Sequence, residues 1–274
     1  MKFALSIGFV FLITIHISGQ NLYDSANTSR FGNYLYNTGQ YEDALLEFQT
    51  HIGWANTNDT LSSKFLGCYL KLNRAEDGLM KAKQLFPTLS TMPILSSKVY
   101  VRLLKKQDQW AQASDFVEKS KTLMADQKAI YDMRFAMQTC NWKLALNKYH
   151  TYDSLGMDGV KAYKSILDEA LIAKYKQPLK AAVLSTIVPG LGKIYTGDVK
   201  DAIFAFVVTG VSAFQAIRGF QVRGTRSVYG YLYAGFTLGF YTGNIYGSWR
   251  SAKKHNHRIN DEFLNAADRV VAQY

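Results

Sequence analysis

The chain has 274 residues, 48% of them apolar and 19% charged, with a formal net charge of +11. That balance excludes a disordered tail and leaves enough apolar sequence for ordinary cores. The charge is uneven: residues 20–155 hold 16 basic against 13 acidic side chains, and residues 156–274 hold 15 against 8.

Met1-Lys2, an apolar run from Phe3 to Ile17 and small residues at Ser18-Gly19 predict a cleaved secretory signal over residues 1–19. No cysteine lies near the cut, so no lipid anchor is expected. The two cysteines, Cys68 and Cys140, fall two repeats apart in the alignment below. They are therefore read as buried free thiols and not as a disulfide.

A recurring triplet organises residues 20–155. It runs Tyr41/Ala44/Phe48, Ala75/Gly78/Ala82, Trp110/Ala113/Val117 and Trp142/Ala145/Tyr149, with starts 34, 35 and 32 residues apart. Phe31-Gly32-Asn33-Tyr34-Leu35 precedes the first triplet. The pattern resembles the tetratricopeptide repeat, a pair of antiparallel helices with a period of about 34. The resemblance implies a stacked array with a concave groove. First-helix positions eight and four residues before each second-helix start share one face. They are Asn33 and Asn37, Gly67 and Lys71, Arg102 and Lys106, and Arg134 and Gln138. The candidate peptide groove is thus Asn33, Asn37, Lys71, Arg102, Lys106 and Arg134. It is basic without an acid, which suits an acidic segment or a chain-end carboxylate. The family's fixed Lys/Asn peptide clamp is not reproduced. Residues 156–178 predict a helix capping the array, with Val160, Tyr163, Ile166, Leu167, Leu171 and Tyr175 at helical spacing.

Three apolar segments fill residues 179–250. Twelve uncharged residues lie between Lys180 and Lys193, 16 between Asp201 and Arg218, and 23 between Arg226 and Arg250. The first falls short of the roughly 20 residues a crossing needs, so an interfacial or re-entrant segment is expected there, followed by two spans. Basic flanks beside such spans fit lipid headgroups better than nucleic acid. Gly235, Gly239, Gly243 and Gly247 repeat every four residues, opposite a small stripe at Ala205, Thr209 and Ala213. In lipid, close contact between small residues holds helices together, so this glycine stripe is expected to pack the hairpin. The phrase Pro189-Gly190-Leu191-Gly192-Lys193-Ile194-Tyr195-Thr196-Gly197 before it resembles small bacterial two-helix membrane domains of unassigned function. Pro189, Gly190, Gly192, Tyr195, Gly197, Asp201 and Asn244 are expected to cluster at one membrane face, with Asn244 or Asp201 bonded to an unwound Pro-Gly backbone. Residues 251–274 read as a basic tail.

No motif points to catalysis or to a cofactor. Gly190-Leu191-Gly192-Lys193 is not a phosphate loop, because Ile187 and Ile194 stand where glycine and Ser/Thr are needed. His255-Asn256-His257 lacks a third metal ligand, and no nucleophile elbow occurs. Expected, then, is an all-α chain: a helical-hairpin repeat solenoid followed by a transmembrane helical hairpin. It is read as a non-enzymatic envelope scaffold binding a protein partner at the bacterial inner membrane, with the repeats on the periplasmic side. The alternative is an accessory for membrane-protein insertion or envelope assembly, acting through the hairpin.

Overall fold

Four left-handed residues punctuate the first part of the chain, each two residues before a helix: Gly39, Asn73, Asp108 and Cys140, with φ of 82°, 58°, 53° and 53°. At the first three, the next residue's N–H returns to the carbonyl five positions back: Gln40 to Leu35, Arg74 to Tyr69 and Gln109 to Leu104, at 2.9, 2.8 and 2.9 Å. This closure satisfies carbonyls that a helix end leaves open, and it reverses the chain into the next helix. The structure, a computed structural model, describes residues 25–50 and 58–274. The expected signal segment lies outside the described residues.

The chain divides into two compact units, Met1–Leu123 and Met124–Tyr274. In the first, the helices are α1 (Ser25–Asn37), α2 (Tyr41–Thr50), α3 (Asp59–Lys71), α4 (Ala75–Leu85), α5 (Ile94–Lys106) and α6 (Trp110–Lys119). α2, α4 and α6 begin at the residues that open the sequence triplets. Ala44, Gly78, Ala82 and Ala113 are buried. A Cβ on Gly78 would stand 2.9 Å from Tyr69 Cβ and 3.0 Å from Leu103, so the small side chain is what lets α4 approach α3 and α5. Asp59 ties α3 to α5: its carboxylate accepts the backbone N–H groups of Leu95 and Ser96, each at 2.8 Å, and the Ser96 hydroxyl at 2.7 Å. Those are open donors at the start of α5, where negative charge is favoured.

The second unit contains α7 (Ala125–Met137), α8 (Trp142–Ser154), a 3₁₀ segment (Asp158–Tyr163), α9 (Lys164–Ile172), α10 (Pro178–Ile187), α11 (Leu191–Thr196), α12 (Val199–Arg223) and α13 (Val228–Gln273). Thirteen α-helices and no strand occur among the described residues. The fourth helix pair, α7/α8, thus folds with the C-terminal segments. The expected single capping helix over 156–178 is replaced by a 3₁₀ turn, the short α9 and an extended stretch to Gln177. Gly156 at φ 73° and buried Gly159 break the helical path. A Cβ on Gly159 would sit 2.7 Å from the Ile130 side chain, so the chain must lie flat on α7 there. Val160, Tyr163, Ile166 and Leu167 are buried as expected, and Leu171 is exposed.

The expected basic tail is not a tail. Residues 251–273 continue α13, a helix of 46 residues and about 69 Å. Ile259, Phe263, Ala267, Val270 and Val271 recur at helical spacing, and the last three are buried.

Candidate functional site

Arg134 on α7 is 3% exposed, yet it is a cation that the sequence placed in an open groove. Its Nε and Nη2 donate to the two carboxylate oxygens of Asp268 on α13 at 2.6 and 3.2 Å, and Nη1 donates to Gln138 at 2.9 Å. A bidentate arginine–carboxylate pair of this geometry offsets the burial of the charge. The expectation of Arg134 as a ligand contact is therefore corrected: the chain's own C-terminal helix takes that position. The docking is extensive. Trp142 meets the Phe263 ring edge-on at 5.7 Å. Trp142 Nε1 donates to the Tyr175 hydroxyl, which donates to Asn260, each at 2.8 Å. Asn256 clamps the Lys176 backbone from both sides, at 2.7 and 2.8 Å.

The other groove positions lie in the first unit. Asn33 accepts a hydrogen bond from Lys64 at 2.7 Å, and that ammonium stands 5.7 Å from the Tyr36 ring. Gly67 is buried because Tyr36 lies over it: an added Cβ would meet the Tyr36 hydroxyl at 2.7 Å. Asn37, Lys71, Arg102 and Lys106 are exposed. Among the described residues no carboxylate pairs with Lys71, Arg102 or Lys106. Lys64 and Tyr36 were not singled out by sequence, because they fall outside the two positions per helix that the repeat spacing selects.

Around the Pro-Gly phrase, small residues set the spacing. A Cβ on Gly190 would sit 2.3 Å from the Ala202 carbonyl, and one on Gly192 only 1.9 Å from the Ala181 carbonyl. Gly190 and Gly197, at φ 90° and 92°, bracket α11. Ser185 accepts the Gly192 N–H at 3.0 Å and shares a hydrogen bond with Ser248 at 2.7 Å. Thr196 and Ser251 hydroxyls are 2.7 Å apart, and Ser251 donates to Asp198. The Tyr195 hydroxyl accepts the Gln177 N–H at 3.2 Å. Gly190, Gly192 and Tyr195 thus do come together where α10, α11 and α13 meet.

Pro189-Gly190 is a non-helical turn between α10 and α11, as expected. The bonding expected of Asp201 and Asn244 fails. Asp201 is exposed. Asn244 is buried, and neither its oxygen nor its nitrogen has a hydrogen-bond partner; Thr209 Oγ1 is likewise unpartnered. Serines 185 and 248 do the bonding that was assigned to Asn244.

The glycine stripe is also corrected. A Cβ added at Gly235, Gly239 or Gly243 would meet nothing within 4 Å, and one at Gly247 only the Lys193 side chain at 3.4 Å. α12 and α13 instead meet at Gly219 and Gly230: a Cβ on Gly219 would stand 2.8 Å from the Gly230 backbone, and one on Gly230 2.9 Å from the Phe220 ring. Ala205, Thr209, Ser212 and Ala216 of α12 are also buried. On α13, Asn244, Ser248 and Ala252 are buried, each one residue past the register of the glycines. A single-residue offset turns a helical position through about 100°.

Val199–Arg226 is, among the described residues, the one helical segment long and apolar enough to cross a membrane. On α12, Ile203, Phe204, Phe206, Val207, Val211, Phe214 and Ile217 are each at least half exposed, and Leu232, Phe236 and Leu238 on α13 are as exposed. Exposed apolar patches on this scale mark surfaces that meet another protein or a membrane. The chain matches no family model, no curated protein and no solved structure.

Proposed function

We propose that the chain is a membrane-anchored adaptor whose first helix pairs hold an acidic segment of a protein partner. The supporting observation is the Arg134–Asp268 pair. At the fourth helix pair, the groove position already carries a helix that presents a carboxylate to the cation. Lys71, Arg102 and Lys106 occupy corresponding positions in the first unit and remain exposed. The same chemistry then takes its carboxylates from another chain. The test is binding of the full-length chain in detergent to an acidic helical peptide and to its amide-substituted counterpart. Arg102→Ala/Lys106→Ala is expected to lose the acidic peptide about tenfold or more, in a salt-dependent way. Equal binding of both peptides, or an unaffected variant, removes this reading.

Anchoring is assigned to α12 and the first half of α13 as a transmembrane pair. Tyr231 and Trp249 bound that half of α13 and stand about 27 Å apart, close to the thickness of a hydrocarbon core. α10, at about 15 Å, is too short to cross and enters as a re-entrant segment turned at Pro189-Gly190. Two crossings leave α7/α8 and the end of α13 on one side, as their contact requires. We assign that side to the periplasm. Lys193, Lys200, Arg250, Lys253 and Lys254 on it favour the cytoplasm, but a long translocated domain overrides local charge.

A second reading, an accessory for membrane-protein insertion or envelope assembly, is favoured by the buried, unpartnered side chains of Asn244 and Thr209 on the two proposed spans. Polar groups left unsatisfied in a membrane pair are costly and commonly serve function. Asn244→Leu separates the two readings. It abolishes an insertion phenotype in cells under the second reading and leaves partner capture unchanged under the first.

A further inference from the structure

We propose that Lys176 and Lys180, converging on the ring of Tyr195, bind the phosphate of an anionic phospholipid headgroup. Their ammonium groups lie 4.7 and 5.4 Å from the centre of that one ring. Two cations drawn to one aromatic ring repel one another, and among the described residues neither has a carboxylate within ion-pairing distance. A phosphodiester supplies the missing negative charge and accepts from both.

The arrangement is built and not incidental. Tyr195 is tied to the backbone between the two lysines by its hydroxyl, which accepts the Gln177 N–H at 3.2 Å. Asn256 holds the Lys176 backbone on both its N–H and its carbonyl. The aromatic ring and the Lys176 backbone are therefore fixed before any ligand arrives, which lowers the ordering cost of binding.

Its placement selects a lipid as the source of the phosphate. Leu179 and Val183 of α10 are exposed beside the lysines. Trp249, Lys253 and Asn256 share one face of α13, and Lys253 stands 3.8 Å from the Trp249 ring. Tryptophan and lysine stacked beside exposed apolar side chains mark a headgroup level. This inference rests on the transmembrane reading above.

The experiment reconstitutes the full-length chain in phosphatidylcholine vesicles containing a minor fraction of phosphatidylglycerol and counts retained lipids by native mass spectrometry. Preferential retention of phosphatidylglycerol is expected, weakened about fivefold by Lys180→Gln and further by Lys176→Gln/Lys180→Gln. The Lys→Arg pair is expected to retain it, and Lys83→Gln/Lys143→Gln, which removes the same charge elsewhere, to leave it unchanged. Should the double glutamine variant misfold, Lys180→Gln alone decides, because that side chain is exposed. Equal retention of both lipids, indifference to Lys180→Gln, or displacement by millimolar inorganic phosphate overturns the proposal while the transmembrane reading stands. Failure of the chain to enter pure phosphatidylcholine vesicles overturns the transmembrane reading itself and this site with it.

Discussion

Arg134 and Asp268, 134 residues apart in the chain, form a two-pronged ion pair in which the arginine is nearly sealed from water. The pair fixes the end of α13 on the fourth helix pair. Asp268→Asn is expected to leave Arg134 buried without its counter-charge. The loss should be about 2 kcal/mol, below the usual cost of breaking a fully buried pair, because Asp268 keeps about a third of its surface in water. Chemical denaturation of the full chain in detergent, with Arg134→Met and the double variant completing a cycle, measures it. A cycle with no coupling energy excludes the pairing.

These helix starts were legible because a triplet of small and aromatic residues states both a helix and its close approach. Tyr41, Ala75, Trp110 and Trp142 do open helices. The Arg134–Asp268 contact was not legible, since nothing local to either residue names the other. The apolar period through Ile259, Phe263, Ala267 and Val271 was a signal for the docked helix, masked by the neighbouring Lys253, Lys254 and Arg258. The glycines at 235, 239 and 243 show another limit. Periodicity identifies a face of a helix but not the neighbour it meets, and the packed face lies one residue further round.

That offset gives a paired prediction. Gly192→Ala drives a methyl group into the Ala181 carbonyl at 1.9 Å, a backbone atom that cannot step aside. The variant is expected to lose the α10–α11 turn and to aggregate on extraction. Gly235→Ala/Gly239→Ala/Gly243→Ala places three methyl groups in open space. It is expected to extract normally and gain about 2 kcal/mol from helix propensity. Size-exclusion profiles and thermal scans of the two proteins decide it; the opposite ranking contradicts the packing of α13.

Cys140 holds the left-handed position that glycine, asparagine and aspartate occupy at the three preceding turns. The Cβ of even an unbranched side chain crowds the following carbonyl there, at a cost of about 1 kcal/mol. Cys140→Gly is expected to raise stability by about 0.5–1 kcal/mol, and Cys140→Val to lower it by more. Unfolding midpoints of the two variants check the sign.

Alkaline pH should expose the state of Cys68. Burial pushes its thiol from 9.0 up to about 12, while burial also raises Tyr36, Tyr69 and Tyr100 above 10.0. A group whose folded pKa is raised stabilises the fold below its unfolded value and loses that contribution as pH rises toward the folded one. The first unit should therefore begin to weaken near pH 9. Cys68→Ala should hold its own, lower, stability until the tyrosines begin to titrate near pH 10. Denaturation midpoints across that interval that fall in parallel for both proteins contradict it.

Because Asn256 grips Lys176, the two ends of the segment 178–250 emerge close together. Joining Gln177 to Ser251 by a short Gly-Ser linker is expected to give a detergent-free protein that keeps the Trp142–Tyr175–Asn260 chain. Near-UV circular dichroism and solubility without detergent check it. A variant that stays insoluble places the apolar burden outside the excised segment.

One unbroken helix joins the apolar segment beside α12 to the part that docks on α7 and α8, with no joint to absorb motion. From Trp249 to Gln273 the rod reaches about 36 Å, so a ten-degree tilt of its lower half sweeps the far end through about 6 Å. Asp268 rides on that far end. Any tilt of the apolar half of α13 is thereby geared to the grip on Arg134, as a crank is geared to a latch.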